Sequence, residues 1–167
     1  MRAKLKRWLR EGVVLVLIAA AAMLVMDQFR KPTLPAAFAS APMQTLDGKT
    51  LDLAGMSHDS PLLVYVWATW CGVCRFTTPS VAQIAEEGGN VVSVAMRSGD
   101  DATLSAWLAR KHYALPTIND AEGKLTRSWQ IQVTPTLVII DKGEVKSITT
   151  GFTSGWGMKL RLWWAGV

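Results

Sequence analysis

Cys71-Gly72-Val73-Cys74 contains the only two cysteines in the 167 residues of this chain. The pair stands where an apolar, β-forming run, Leu62 to Trp67 (LLVYVW), gives way to a helix-like stretch that reaches about Glu87 with Pro79 inside it. At such a junction the first sulfur projects at a helix N-terminus. Unpaired amides and the helix dipole there stabilise a thiolate, drawing a cysteine pKa from about 8.5 into the range of roughly 3.5–7.5. The second sulfur, one turn further on, is close enough to close a disulfide and release a trapped partner. Cys71 is therefore the candidate nucleophile of thiol-disulfide exchange and Cys74 the candidate resolving thiol. Three other readings compete. A structural disulfide across so short a loop constrains the unfolded chain little. Half of a zinc site needs two further ligands, and His58 and His112 have no paired spacing. Two inert buried thiols do not explain a place between Trp70 and Gly72 at a strand end.

The elements that must hold this pair alternate along the chain. Asp47-Gly48 marks a hairpin turn within Met43 to Leu53. The continuous apolar runs Leu62 to Trp67 and Val91 to Met96 have the pattern of strands buried on both faces. Asp100-Asp101 supplies N-cap chemistry for a helix through Tyr113. Leu115 to Asn119 reads as a short strand and Glu122 to Trp129 as a short helix. Thr136 to Asp141, Lys142-Gly143 and Glu144 to Thr150 read as strand, turn and strand, and Gly157 to Ala165 as a closing helix. This order predicts an α/β fold with a mixed central sheet flanked by helices.

Seven basic and two acidic side chains lie in residues 1–31, which accounts for the whole formal charge of +5; residues 32–167 carry eleven of each. The basic total therefore describes an N-terminal segment and gives no reason to expect nucleic acid as a partner. Gly12 to Met26 is uncharged, and Trp8 to Phe29 as a helix reaches about 33 Å at 1.5 Å per residue. That is enough to cross a bilayer if Arg10 and Asp27 snorkel. The expected division is a basic cytoplasmic segment at 1–11, a transmembrane anchor at 12–29, an extended tether at 30–42 and a catalytic domain at 43–167. The basic start places residue 1 in the cytoplasm and the domain across the membrane. A cleaved signal peptide is the rival reading, with an A-x-A pattern at Ala37 to Ala39 that lies far from the apolar run.

WATWCGVC (Trp67 to Cys74), Pro79 eight residues after the first cysteine, and Val133-Thr134-Pro135-Thr136 opening a later strand resemble the thioredoxin superfamily. More narrowly, the chain is similar to the membrane-anchored, periplasm-facing thioredoxin-like proteins of the TlpA, ResA and cytochrome-maturation type, and within them to the suppressor-of-copper-sensitivity protein D group. The resemblance covers about residues 40–165. It implies a thioredoxin fold with an N-terminal hairpin extension and a small insertion. It further implies a cis Thr134–Pro135 bond, where sequence alone would favour trans, since only about 5–6% of X-Pro bonds are cis. Thr134 would then offer its backbone to an extended substrate. Trp70, Gly72, Val73 and Pro79 are the implied active-site support.

One departure from the family pattern stands out. Thioredoxins place a buried carboxylate six residues before the first cysteine and ResA-like proteins place one six residues after it, as a proton relay. Tyr65 and Thr77 occupy those positions here, and Glu86 and Glu87 lie too far along the helix to substitute. Proton removal from Cys74 must therefore use water, a hydroxyl or a backbone route. Trp67 is expected in the core, Trp70 over the disulfide, Arg75 solvated, and Trp156, Trp163 and Trp164 packed with a terminal helix. The seven methionines and two histidines form no cluster, so no metal site and no cofactor beyond the Cys71–Cys74 disulfide is expected.

The function these features predict is a periplasm-facing, membrane-anchored protein disulfide oxidoreductase in the bacterial inner membrane, recharged by an integral-membrane electron donor. The resemblance favours a reductase, while the same centre run in reverse is an oxidase. A thiol peroxidase needs a Thr three residues and a Pro seven residues before its cysteine, where Ala68 and Val64 stand. A non-catalytic binding module has no need of both cysteines.

Overall fold

The computed structural model describes Trp8, residues 10–15, 17, 18, 34 and 35, and residues 38–167. The chain divides into two units, residues 1–31 and 32–167. In the first, the described positions are helical. Among the described residues no helix is long and apolar enough to cross a membrane, and most of the expected 12–29 span falls outside them.

In the second unit a five-stranded mixed sheet has the order β5-β4-β3-β6-β7, with β3 at Leu62–Trp67, β4 at Val91–Met96, β5 at Thr117–Asp120, β6 at Thr136–Asp141 and β7 at Glu144–Thr150. β3 runs parallel to β4, from Leu63 opposite Val91 to Trp67 opposite Ala95, and antiparallel to β6. β1 (Met43–Gln44) and β2 (Thr50–Leu51) form a separate antiparallel hairpin around Gly48, whose positive φ of 79° the turn requires. The helices are α1 (Leu53–Met56), α2 (Cys74–Glu86), α3 (Asp101–Lys111), α4 (Lys124–Ser128) and α5 (Gly155–Ala165).

Alternation along β3 sends side chains into two cores. Leu63, Tyr65 and Trp67 join Cys71, Cys74, Val81, Leu104 and Met158 on one face, while Leu62, Val64 and Val66 join Leu53, Val92, Ile118, Trp129 and Ile140 on the other. Both faces are covered, which is why β3 and β4 read as unbroken apolar runs.

The structure departs from the sequence reading at several points, α4 being shorter than Glu122 to Trp129 and α5 starting two residues before Gly157. The helix expected through Tyr113 stops at Lys111, because His112 turns left-handed at φ 55° and its amide closes on the Ala109 carbonyl. The short strand begins at Thr117, as Pro116 cannot donate to a ladder. α1 went unread because it is four residues long; its start is fixed by the Asp52 carboxylate accepting from the Ala54 amide at 3.1 Å. The tether expected over 30–42 is packed near its end. Phe38 and Ala39 are buried, Phe38 meets Trp129 edge-on at 4.5 Å, and the Ala39 carbonyl accepts from Ala54 N.

Candidate active site

The site forms where β3 ends. Beyond Trp67 the chain turns, with the Cys71 amide donating to the Ala68 carbonyl at 3.2 Å, and α2 begins at Cys74. Cys71 and Cys74 are joined in a disulfide, their Cα atoms 5.3 Å apart. The N-cap position, Val73, makes no side-chain capping bond, so the first amides of α2 are open to the sulfur. One of them, Cys74 N–H, donates to Cys71 Sγ at 3.2 Å. That contact gives a physical basis for a thiolate at Cys71 once the disulfide is reduced.

Opposite the disulfide lies the loop before β6. The Thr134–Pro135 bond is cis, and the Thr134 carbonyl oxygen lies 3.5 Å from Cys71 Sγ. A disulfide sulfur has no proton to give, so this is a contact in the oxidised state; the Cys71 thiol can donate across it once reduced. Thr136 Oγ1 ties the loop down by donating to the Val133 carbonyl.

At the positions where the resemblance implies a carboxylate, Tyr65 and Thr77 present hydroxyls. Thr78 Oγ1 donates to the Cys74 carbonyl at 2.7 Å, which uses its single proton, so the 2.8 Å contact with the Tyr65 phenol has Tyr65 as donor. Burial pushes the Tyr65 phenol well above its ordinary value, so it stays neutral at physiological pH. Thr77 is fully buried, its hydroxyl reaching back to the Val73 carbonyl. Beside Cys74 is a cavity of about 110 Å³, bounded by Trp67, Thr78, Tyr113, Arg75 and Lys111 among others. Trp67 Nε1, on the cavity wall, is buried without a hydrogen-bond partner.

The other sequence candidates are placed as follows. Trp70 is 59% exposed, and its Nε1 donates to the Arg97 carbonyl at 3.0 Å. Gly72, Val73 and Pro79 are exposed, Pro79 one turn beyond the cysteines on α2. Trp67 is fully buried in the cluster that holds both cysteines. Arg75 is exposed, yet it bounds the cavity rather than pointing only to solvent. Glu87 pairs with Lys159, away from the cysteines. The expected packing of Trp156, Trp163 and Trp164 is not what occurs. Met158 is the side chain that α5 buries, and the three tryptophans are 65–76% exposed. Sequence reasoning missed Thr78, whose part depends on the phenol thirteen positions earlier. Among the described residues, no three His, Cys, Asp or Glu side chains gather as a metal-binding group.

The Redoxin family pattern matches residues 12–155. The chain belongs to the Redoxin family. It is 41% identical over 162 residues to a "Thioredoxin-like protein" of Haemophilus influenzae, covering 97% of each chain. It is also 31% identical over 157 residues to the "Thiol:disulfide interchange protein DsbE" of Pseudomonas fluorescens biotype C, covering 88% of this chain and 86% of that one. Among solved structures, the pneumococcal exposed lipoprotein thioredoxin of Streptococcus pneumoniae superposes with a TM-score of 0.65 at 26% identity, over 74% of this chain and 98% of that one. With the Cys71–Cys74 disulfide, these likenesses make this Redoxin chain a thiol-disulfide oxidoreductase with a thioredoxin fold.

Proposed function

We propose that this chain is a membrane-anchored, periplasm-facing reductase of protein disulfides, in which Cys71 attacks and Cys74 resolves. The observation that carries the proposal is the placement of Cys71 Sγ between the Cys74 amide at the start of α2 and the Thr134 carbonyl beside Pro135. The Cys71 thiolate attacks one sulfur of a substrate disulfide, forming a mixed disulfide and expelling the other sulfur as a thiolate that takes a proton. Cys74 then loses its proton and attacks Cys71 Sγ, releasing the second substrate thiol. Two electrons have moved to the substrate, and Cys71–Cys74 is left oxidised. An integral-membrane dithiol donor restores it. An extended substrate pairs with the Thr134 backbone while its sulfur meets Cys71.

The Cys74 proton leaves without a carboxylate. The cavity beside Cys74 has room for several waters, and Thr78 and Tyr113 are among the residues that bound it. Lys111 and Arg75 also bound it, and a positive charge near Cys74 would favour the anionic sulfur during the exchange.

Three features support the membrane reading: the basic start and apolar run of residues 1–29, the "exposed lipoprotein" description of the pneumococcal thioredoxin, and the exposed tryptophans of α5, a residue type enriched at membrane surfaces. The placing among copper-sensitivity suppressor D proteins rests on length, basic start and the CGVC centre.

The test is trapping in cells. Cys74→Ala in the full chain is expected to accumulate thiol-sensitive adducts with exported proteins through Cys71, in the membrane fraction. Absence of adducts would remove the proposed roles of the two cysteines, and adducts confined to soluble fractions would remove the anchor.

A further inference from the structure

Next to the disulfide, on the side of Trp70, is an open groove of about 350 Å³ whose walls include Trp70, Arg97, Gly123, Arg127 and Gln132. Two guanidinium groups converge on one turn at its floor. A side-chain carbon at Gly123 would stand 2.6 Å from Arg97 Nε, so the Arg97 side chain lies across that glycine; Arg127 Nη2 donates to the neighbouring Glu122 carbonyl at 3.3 Å. The carboxylates nearby are engaged elsewhere. Both Asp120 oxygens accept from α4, from Leu125 N at 3.0 Å and from Thr126 N and Oγ1 at 2.8 and 2.7 Å. The Glu122 carboxylate pairs with Lys124, which holds its pKa below the ordinary value. Among the described residues neither Arg97 nor Arg127 has a carboxylate partner, and both are exposed.

Two residues of its wall are close chain neighbours of the reaction centre. Trp70 precedes Cys71 and is fastened to the groove by its bond to the Arg97 carbonyl. Gln132 lies two residues before Thr134, whose carbonyl faces Cys71 Sγ. A polypeptide that brings its sulfur to Cys71 passes Trp70, a flat aromatic wall of a groove whose two guanidinium groups pair with no carboxylate among the described residues.

We infer that this groove selects protein substrates whose cysteine is flanked by acidic residues, with Arg97 and Arg127 receiving the carboxylates. The inference rests on Cys71 being the attacking sulfur. Exposed ion pairs are individually weak, so the two arginines together are expected to set a preference of about three- to tenfold, weakening as salt screens them.

The experiment uses the reduced full chain and three synthetic disulfide-linked peptides that differ only in flanking residues: acidic, neutral or basic. Wild type is expected to reduce the acidic peptide with a single-turnover second-order rate constant about three- to tenfold above the neutral one, and the basic peptide more slowly still. In Arg97→Glu/Arg127→Glu the ratio of acidic to basic rates is expected to invert, a readout that a general loss of activity or folding does not produce. Equal rates for the three peptides with wild type, or an unchanged ratio in a variant that remains active and folded, would overturn the inference and leave the Cys71 mechanism standing. A wild-type chain that exchanges with none of the peptides would overturn that mechanism and this inference with it.

Discussion

Behind the Cys71–Cys74 disulfide, on the sheet side, Tyr65 and Thr78 form a buried hydroxyl pair that ends on the Cys74 carbonyl. Beside it, on the solvent side, Trp70 is exposed, and among the described residues no carboxylate pairs with Arg97 or Arg127. The same few residues of chain separate a buried hydroxyl pair from a surface that displays charge. A buried carboxylate behind the disulfide would need burial offset by partners, and the core here offers Val81, Leu137 and Ile139 instead. Hydroxyls satisfy one another at little cost. They leave the charge-dependent part of the chemistry to the cavity wall and the solvent-facing flank.

The largest change comes from the sulfur common to both flanks. Cys71→Ser is expected to lower disulfide exchange by at least about a thousandfold, because the attacking group is lost while substrate contacts remain. Insulin reduction followed by turbidity checks this, and activity within tenfold of wild type would move the nucleophile elsewhere.

On the solvent flank, Asp120→Ala removes three hydrogen bonds that tie β5 to α4. A loss of about 2–3 kcal/mol in urea unfolding is expected, as bonds to a charged acceptor are the strong ones. If the loss is below about 0.5 kcal/mol, the carboxylate does not organise the turn that carries Arg127.

On the buried flank, Thr78→Val strands the Tyr65 hydroxyl without an acceptor and is expected to cost about 1–3 kcal/mol. Tyr65→Phe leaves Thr78 still donating to Cys74, so a smaller loss of about 0.5–1.5 kcal/mol is expected. The double variant should lose less than the sum of the two, and strict additivity would mean that the hydroxyls do not act as a pair.

The same phenol gives a pH signature, the subtlest of these effects. Its pKa is raised in the folded state, so its contribution is fully present below the ordinary phenol value of about 10 and is lost as pH rises beyond it. Wild-type stability is expected to fall above about pH 10, and Tyr65→Phe is expected to flatten that fall. An unchanged slope in the variant would place the alkaline sensitivity in other groups.

Much of this was legible in the sequence where a residue acts through its immediate neighbours. LLVYVW and VVSVAM are buried strands because both their faces are covered, Asp47-Gly48 is a hairpin turn, and Asp100 caps α3 through Thr103 N at 2.8 Å. The cysteine pair could be read from spacing and from the strand that precedes it. What escaped depends on residues far apart in the chain. Tyr65 was noted for the carboxylate it replaces, but its bond to Thr78 requires β3 and α2 to be packed. Arg97, Gly123 and Arg127 form one floor only after β4, β5 and α4 assemble. The terminal tryptophans show the opposite error. Aromatic content suggested packing, yet Met158, Leu162 and Ala165 occupy the inward face of α5 and leave no place there for Trp156, Trp163 and Trp164.

The proposed reductase turns on which state of the Cys71–Cys74 pair the cell maintains. The direct measurement is acid quenching of cells that express the full chain, alkylation of free thiols with a mass-shifting reagent, and quantification of the two forms, with and without a functioning membrane electron supply. A centre found mostly as the dithiol, becoming oxidised when that supply is removed, is the result expected of a reductase. A centre found mostly as the disulfide in both conditions would contradict it and assign this active site to disulfide formation.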